Sequence, residues 1–249
     1  MPGPTSLFDR IVVGVDGTPE SLEAARQGAR LRAEDGTLHL FSAVYLAGAV
    51  AAGWSAPRIA EELEREAGAA LRRAQEVAGE DATSRLVNGP AVRSLLREVE
   101  DEQATLLCVG SHERSRLEGM LFDYVGTTML HEAPCAVLVA REPPDRDVFP
   151  RTIVAGVDGS AQAGAAHAAA EDLAERFSAR LTTVAADTKP VDAIVEAADG
   201  ADLIVVGSRG VGGLRALGSV SERVAHRAAC SVLVVRGPGI GEAVEVTRS

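Results

Sequence analysis

The residues with the most pointed chemistry in this 249-residue chain form one run, Gly207-Ser208-Arg209-Gly210-Val211-Gly212-Gly213-Leu214-Arg215-Ala216-Leu217-Gly218-Ser219-Val220. Glycine lets the main chain approach a ligand without a Cβ in the way, and Ser219 opens a stretch of helical spacing whose first N–H groups lack intrahelical acceptors. Bare N–H groups at a helix start make a phosphate cradle. Arg209 and Arg215 add positive charge, and no acid lies in the run. The same composition also serves as a flexible strand-to-helix corner. Two familiar phosphate motifs do not fit. A Walker loop needs lysine before Ser/Thr, and the only lysine, Lys189, precedes Pro190. The dinucleotide fingerprint should follow a first strand, where the chain reads Gly156-Val157-Asp158-Gly159-Ser160.

The elements that must position this loop follow from spacing. Continuous apolar runs at Arg10–Gly17, Thr37–Tyr45, Ala82–Val87, Thr105–Gly110 and Cys135–Ala140 predict strands. Helical periodicity falls between them at Thr18–Asp35, Arg58–Ala78, Ala91–Glu102 and Val125–His131. Thr18-Pro19 reads as a helix cap followed by proline at the first helical position. Strands alternating with helices predict a parallel sheet with right-handed crossovers and helices on both faces.

The pattern then restarts. Ile153-Val154-Ala155-Gly156-Val157-Asp158-Gly159-Ser160 repeats Ile11-Val12-Val13-Gly14-Val15-Asp16-Gly17-Thr18, and His226 to Val234 repeats His131 to Val139. The offset is 142 at Asp16/Asp158, 97 at Gly110/Gly207 and 95 at Cys135/Cys230. About 45 residues are therefore missing from the second copy between its first strand and its glycine loop, where only Leu181–Ala186 and a helix over Pro190–Ala198 remain. The lost strand is expected to be an edge. These readings divide the chain into residues 1–141, a linker at 142–150, a shortened copy at 151–236 and a tail at 237–249.

Composition narrows the function. A net charge of -11 argues against general attraction to nucleic acid or to anionic lipid, and the 3% of aromatic residues fits a core of aliphatic helix-on-sheet packing. No apolar run approaches the roughly 18 residues needed to span a bilayer, and no leader pattern is seen, so a cytoplasmic location is expected. Cys108, Cys135 and Cys230 read as buried reduced thiols, without metal-binding spacing.

V-G-V-D-G-[ST] after the first strand, V-G-S after the fourth, G-S-V-S before the last helix and H-x-A-x-C-x-V-L-V into the last strand resemble the universal stress protein family in its tandem form. The resemblance covers nearly the whole chain. It implies α/β architecture in two flavodoxin- or Rossmann-like domains of the adenine nucleotide alpha hydrolase type, the second truncated. ATP, with Mg, would sit at the carboxyl ends of the first and fourth strands. The family's ATP-binding members carry G-x2-G-x9-G-[ST]. Gly207, Gly210, Gly218 and Ser219 match it with seven residues in place of nine. The resemblance gives the phosphates to these residues and to the Val220 N–H, the adenine and ribose to Asp158 and Val184, and a place beside the base to Gly156.

The first copy departs from the pattern. Glu113 stands where the second glycine belongs, and Asp123-Tyr124 replace the closing Gly-Ser. A carboxylate about 4 Å from a phosphate costs about 4 kcal/mol at an effective dielectric near 20, or about a thousandfold in affinity. ATP is therefore expected in the second domain alone. Asp16 and Asp158 are equally at home as turn residues, and His131 and His226 as helix-end residues. His112 has no nucleophile partner, and Trp54 is a candidate cover for a pocket mouth or an interdomain contact. No general base, metal-binding acid pair or lysine clamp stands near the loop, so neither a catalytic residue nor a metal site is expected. The expected role is an adenine-nucleotide-binding regulator of a stress response; the alternative is an interaction module of the same fold with empty pockets. The last strands, Cys135–Ala140 and Ser231–Val235, are expected to pair within a chain as a pseudo-dimer or between chains as a homodimer.

Overall fold

The computed structural model describes residues 6–45, 57–111, 124–185, 188–208 and 220–236. The chain divides into two compact units, Met1–Glu142 and Pro143–Ser249.

In the first unit the elements are β1 (Arg10–Gly14), α1 (Pro19–Leu31), β2 (Thr37–Val44), α2 (Pro57–Ala78), β3 (Thr83–Asn88), α3 (Ala91–Asp101), β4 (Leu106–Gly110), α4 (Tyr124–Glu132) and β5 (Ala136–Ala140). The strands are parallel in the order β3-β2-β1-β4-β5. α1 and α2 pack together on one face, and α3 and α4 contact each other over β1, β2 and β5. Burial on both sides explains the unbroken apolar character of β4 and β5, whose Leu106, Leu107, Val137 and Leu138 are fully covered.

The second unit contains β6 (Thr152–Val157), α5 (Ala161–Phe177), β7 (Arg180–Ala185), α6 (Pro190–Ala197), β8 (Leu203–Ser208), α7 (Val220–Arg227) and β9 (Ser231–Arg236). Its parallel strands run β9-β8-β6-β7. β6, β7, β8 and β9 hold the places of β1, β2, β4 and β5, so the missing strand answers to β3, an edge, as the sequence argument requires. The missing helix answers to α2.

The surface exposed by that loss is rewritten. In the first unit Val13 of β1 is registered with Leu40 of β2, and both Leu40 and Ala25 of α1 are fully buried. At the equivalent places Ala155 is registered with Thr183, and α5 carries His167, whose Nε2 lies 3.1 Å from Thr183 Oγ1. A hydrogen-bonded polar pair replaces aliphatic contact where the counterpart of α2 is missing. Arg141, the residue before the segment expected as a linker, is buried and accepts from Gln27 of α1 through its carbonyl, and Phe149 and Pro150 at the segment's far end are buried as well.

Candidate nucleotide site

Each unit builds the same corner at the end of its first strand. Gly159 sits at φ +75° and Gly17 at φ +87°, a left-handed turn that admits glycine readily. Asp158 Oδ1 accepts from Ser160 N (3.0 Å) and from Ser160 Oγ (2.6 Å), and Ser160 Oγ accepts from Ala163 N at 3.2 Å. The carboxylate orients the hydroxyl that caps α5. Asp16, Thr18 and Ser21 N repeat this relay at 3.0, 2.6 and 3.2 Å. The turn role of both aspartates is thus realised, and Asp158 remains exposed at the strand end.

The glycine that ends the fourth strand answers to packing. A Cβ on Gly207 would run into the Gln162 carbonyl, with Ala163 N at 2.8 Å; one on Gly110 would lie 2.6 Å from Glu20 C and 2.7 Å from Ser21 N. The first turn of α5, or of α1, rests directly on the strand end. Gly156 is registered with Val184 of β7 and Val206 of β8, and Ile194 of α6 crosses it so closely that a Cβ would lie 2.6 Å from Ile194 Cδ1.

Gly156, Asp158, Val184 and Gly207 therefore share the carboxyl ends of β6, β7 and β8. β7 and β8 leave the central β6 on opposite sides, the switch point at which open α/β sheets take ligands. Val220 is the first residue of α7. Gly210, Gly218 and Ser219 lie outside the described residues, as do Trp54, His112, Glu113 and Asp123. Arg236, at the end of β9, donates to Ser208 Oγ at 3.4 Å and sets a guanidinium beside the residue after Gly207.

In the first unit a small, half-open crevice of about 90 Å³ lies at the corresponding place, walled by Gly14, Asp16, Phe41, Leu95, Gly110 and Val125. Phe41, registered with Gly14, stands where Val184 stands in the second unit. Sequence reasoning did not reach this crevice, because it judged the first copy by its loop. Aligning the ends of β2 and β7 would have shown Phe41 against Val184, and hence the base-sized wall. It also expected no metal-ligating set, having tested only cysteine spacing and the surroundings of the loop, whereas the structure brings together His39, Glu98 and Glu102 on other elements.

In each unit a parallel sheet with an aspartate-anchored turn at the switch point defines an α/β protein of Rossmann-like fold. The model of the universal stress protein family matches residues 7–141 and 180–236, and the chain belongs to that family. A universal stress protein of Methanocaldococcus jannaschii is 27% identical over 145 residues, which is 55% of this chain and 85% of that protein. The crystal structure of a universal stress protein from Archaeoglobus fulgidus superposes with a TM-score of 0.71 at 17% identity, covering 92% of this chain and 98% of that one. A Pseudomonas aeruginosa protein gives a TM-score of 0.65 at 19% identity, with coverage of 92% and 93%. These two likenesses speak to the fold. No described helix is long and apolar enough to cross a membrane.

Proposed function

We propose that the chain is an adenine-nucleotide-binding regulatory protein of a stress response. In this reading ATP, with Mg, binds to the second unit, and the protein acts by binding rather than by catalysis. The observation that carries the reading is the second unit's strand-end corner. Gly156, Val184 and the Asp158 turn lie at the switch point, the acid-free glycine run follows β8, and Arg236 reaches Ser208 from the end of β9. An apolar wall suits a base, an aspartate suits ribose hydroxyls, and glycine N–H groups beside arginine suit phosphates. Gly207 contributes by letting the α5 terminus approach the strand end, and Gly210, Gly218, Ser219 and the Val220 N–H supply the phosphate donors.

The first unit favours a second, narrower ligand. Its crevice is walled largely by apolar side chains, with Phe41 at the strand end as a face on which a base can stack. The loop that follows β4 carries Glu113 and Asp123, so an uncharged adenine compound is favoured there over a triphosphate.

Calorimetric titration of the intact protein and of Gly210→Glu with ATP and with adenosine tests both statements. ATP should bind the wild type and lose about a thousandfold in affinity in Gly210→Glu, while adenosine binding to the first unit persists. Wild-type protein indifferent to both ligands would leave the interaction-module reading in their place.

A further inference from the structure

We propose that the first unit holds a divalent-cation site of the zinc class, formed by His39 of β2 with Glu98 of α3 and Glu102, the residue that caps that helix at its carboxyl end. It lies away from the strand-end crevice and is independent of nucleotide binding. One ligand atom from each of the three side chains lies within 4.8 Å of the others, and His39 Nε2 is 2.9 Å from Glu98 Oε1. A tetrahedral ion with bonds of about 2.0–2.1 Å keeps its ligand atoms about 3.3 Å apart, so small rotations of the outer glutamate complete the set. Glu98 is buried, while Glu102 is exposed at the helix end and able to swing.

The ring is already oriented for such a role. Thr83 Oγ1 lies 2.8 Å from His39 Nδ1 and 3.4 Å from the Leu38 carbonyl. The hydroxyl donates to that carbonyl and accepts from Nδ1–H, which directs the other nitrogen, Nε2, at the carboxylates. This is the outer-shell arrangement of a metal-bound histidine. The 2.9 Å contact between Nε2 and Glu98 Oε1 holds this geometry without metal, and the ion would bridge the same two atoms.

The local field favours a cation. His39, Glu98 and Glu102 meet at the carboxyl end of α3, whose last turn contains no basic residue. The competing charge is Arg85 of β3, which donates to Glu98 Oε1 (3.2 Å) and Oε2 (3.0 Å) and is half-exposed. An entering ion displaces this guanidinium into water. Imidazole with carboxylate suits zinc better than magnesium, which takes oxygen ligands. The second unit has no counterpart, because its β7 carries Thr182 in the place of His39 and no strand answers to β3.

Equilibrium dialysis of the full chain against zinc chloride, followed by metal analysis, tests the site. The wild type should retain one zinc ion that His39→Ala and the surface change Glu102→Gln both lose. Thr83→Val should lower affinity about ten- to a hundredfold. Arg85→Met should bind zinc more tightly and gain more thermal stability from it than the wild type, the reverse of what a purely structural ion-pair network gives. Equal zinc content in wild type, His39→Ala and Glu102→Gln, or no zinc in the wild type, overturns the proposal.

Discussion

The carbonyl of Gln162 bears directly on the Cα of Gly207, leaving no space for a Cβ between the first turn of α5 and the end of β8. A methyl group there must push backbone against backbone. Gly207→Ala is expected to cost about 1–3 kcal/mol of stability in denaturant unfolding. Gly210→Glu is expected to lower ATP affinity about a thousandfold. If Gly207→Ala unfolds at the wild-type denaturant concentration, the close packing is not as described.

Gly156 and Ile194 form a more forgiving contact, since the atom in the way is the tip of a side chain. Gly156→Ala alone should destabilise, and Ile194→Val alone should cost about 0.5–1.5 kcal/mol. Combined, they should cost less than their sum, because the shorter side chain vacates the space the new methyl needs. A double-mutant cycle in urea measures the coupling, and strict additivity would count against the contact.

Ser160→Ala and Asp158→Ala separate capping from recognition. Loss of the Ser160 hydroxyl removes the acceptor for Ala163 N and should cost about 1 kcal/mol. Asp158 acts on the cap through Ser160, so its loss should disturb stability less than Ser160→Ala but lower ATP affinity more. Paired thermal melts and ATP titrations read the two effects. Equal ATP affinity in Asp158→Ala and wild type would leave the aspartate with its turn alone.

Leu40 and Thr183 occupy equivalent strand positions beneath different surroundings. Leu40→Thr removes aliphatic packing from beneath a helical layer and leaves a hydroxyl in its place, so a loss of roughly 2–5 kcal/mol is expected. Thr183→Leu, at an exposed position, removes the His167 hydrogen bond and should change stability by no more than about 1 kcal/mol. Similar effects of the two substitutions would show that both faces are covered alike.

Cys108 is enclosed by β1, β4 and α1, and burial pushes its thiol well above the ordinary range, with Cys135 adding to the shift. The thiolate is the reactive form, and all three cysteines are buried thiols outside any disulfide. A disulfide-exchange reagent near pH 8 should therefore find no reactive thiol in the folded chain and three under denaturant. Rapid labelling of the folded protein would contradict the enclosure.

Much of this architecture was legible in the sequence because the signals were local. Thr18-Pro19 announced the start of α1, the apolar runs announced doubly covered strands, and the altered offsets between repeats located the loss of an edge strand. What escaped was set by distant pairings. Nothing adjacent to Gly207 in sequence reveals that Gln162 lies against it. Likewise His39, Thr83, Arg85, Glu98 and Glu102 are scattered over three elements and meet only through the order β3-β2-β1 and the placement of α3 on β2. Val184 was found through family resemblance, whereas Phe41 needed the register of β1 with β2.

The seating of a helix start on Gly207, repeated at Gly110, makes the floor beneath each strand end a braced joint in which neither member can slide without the other. A ligand at the proposed site would meet a fixed anvil, with no give in the floor beneath it.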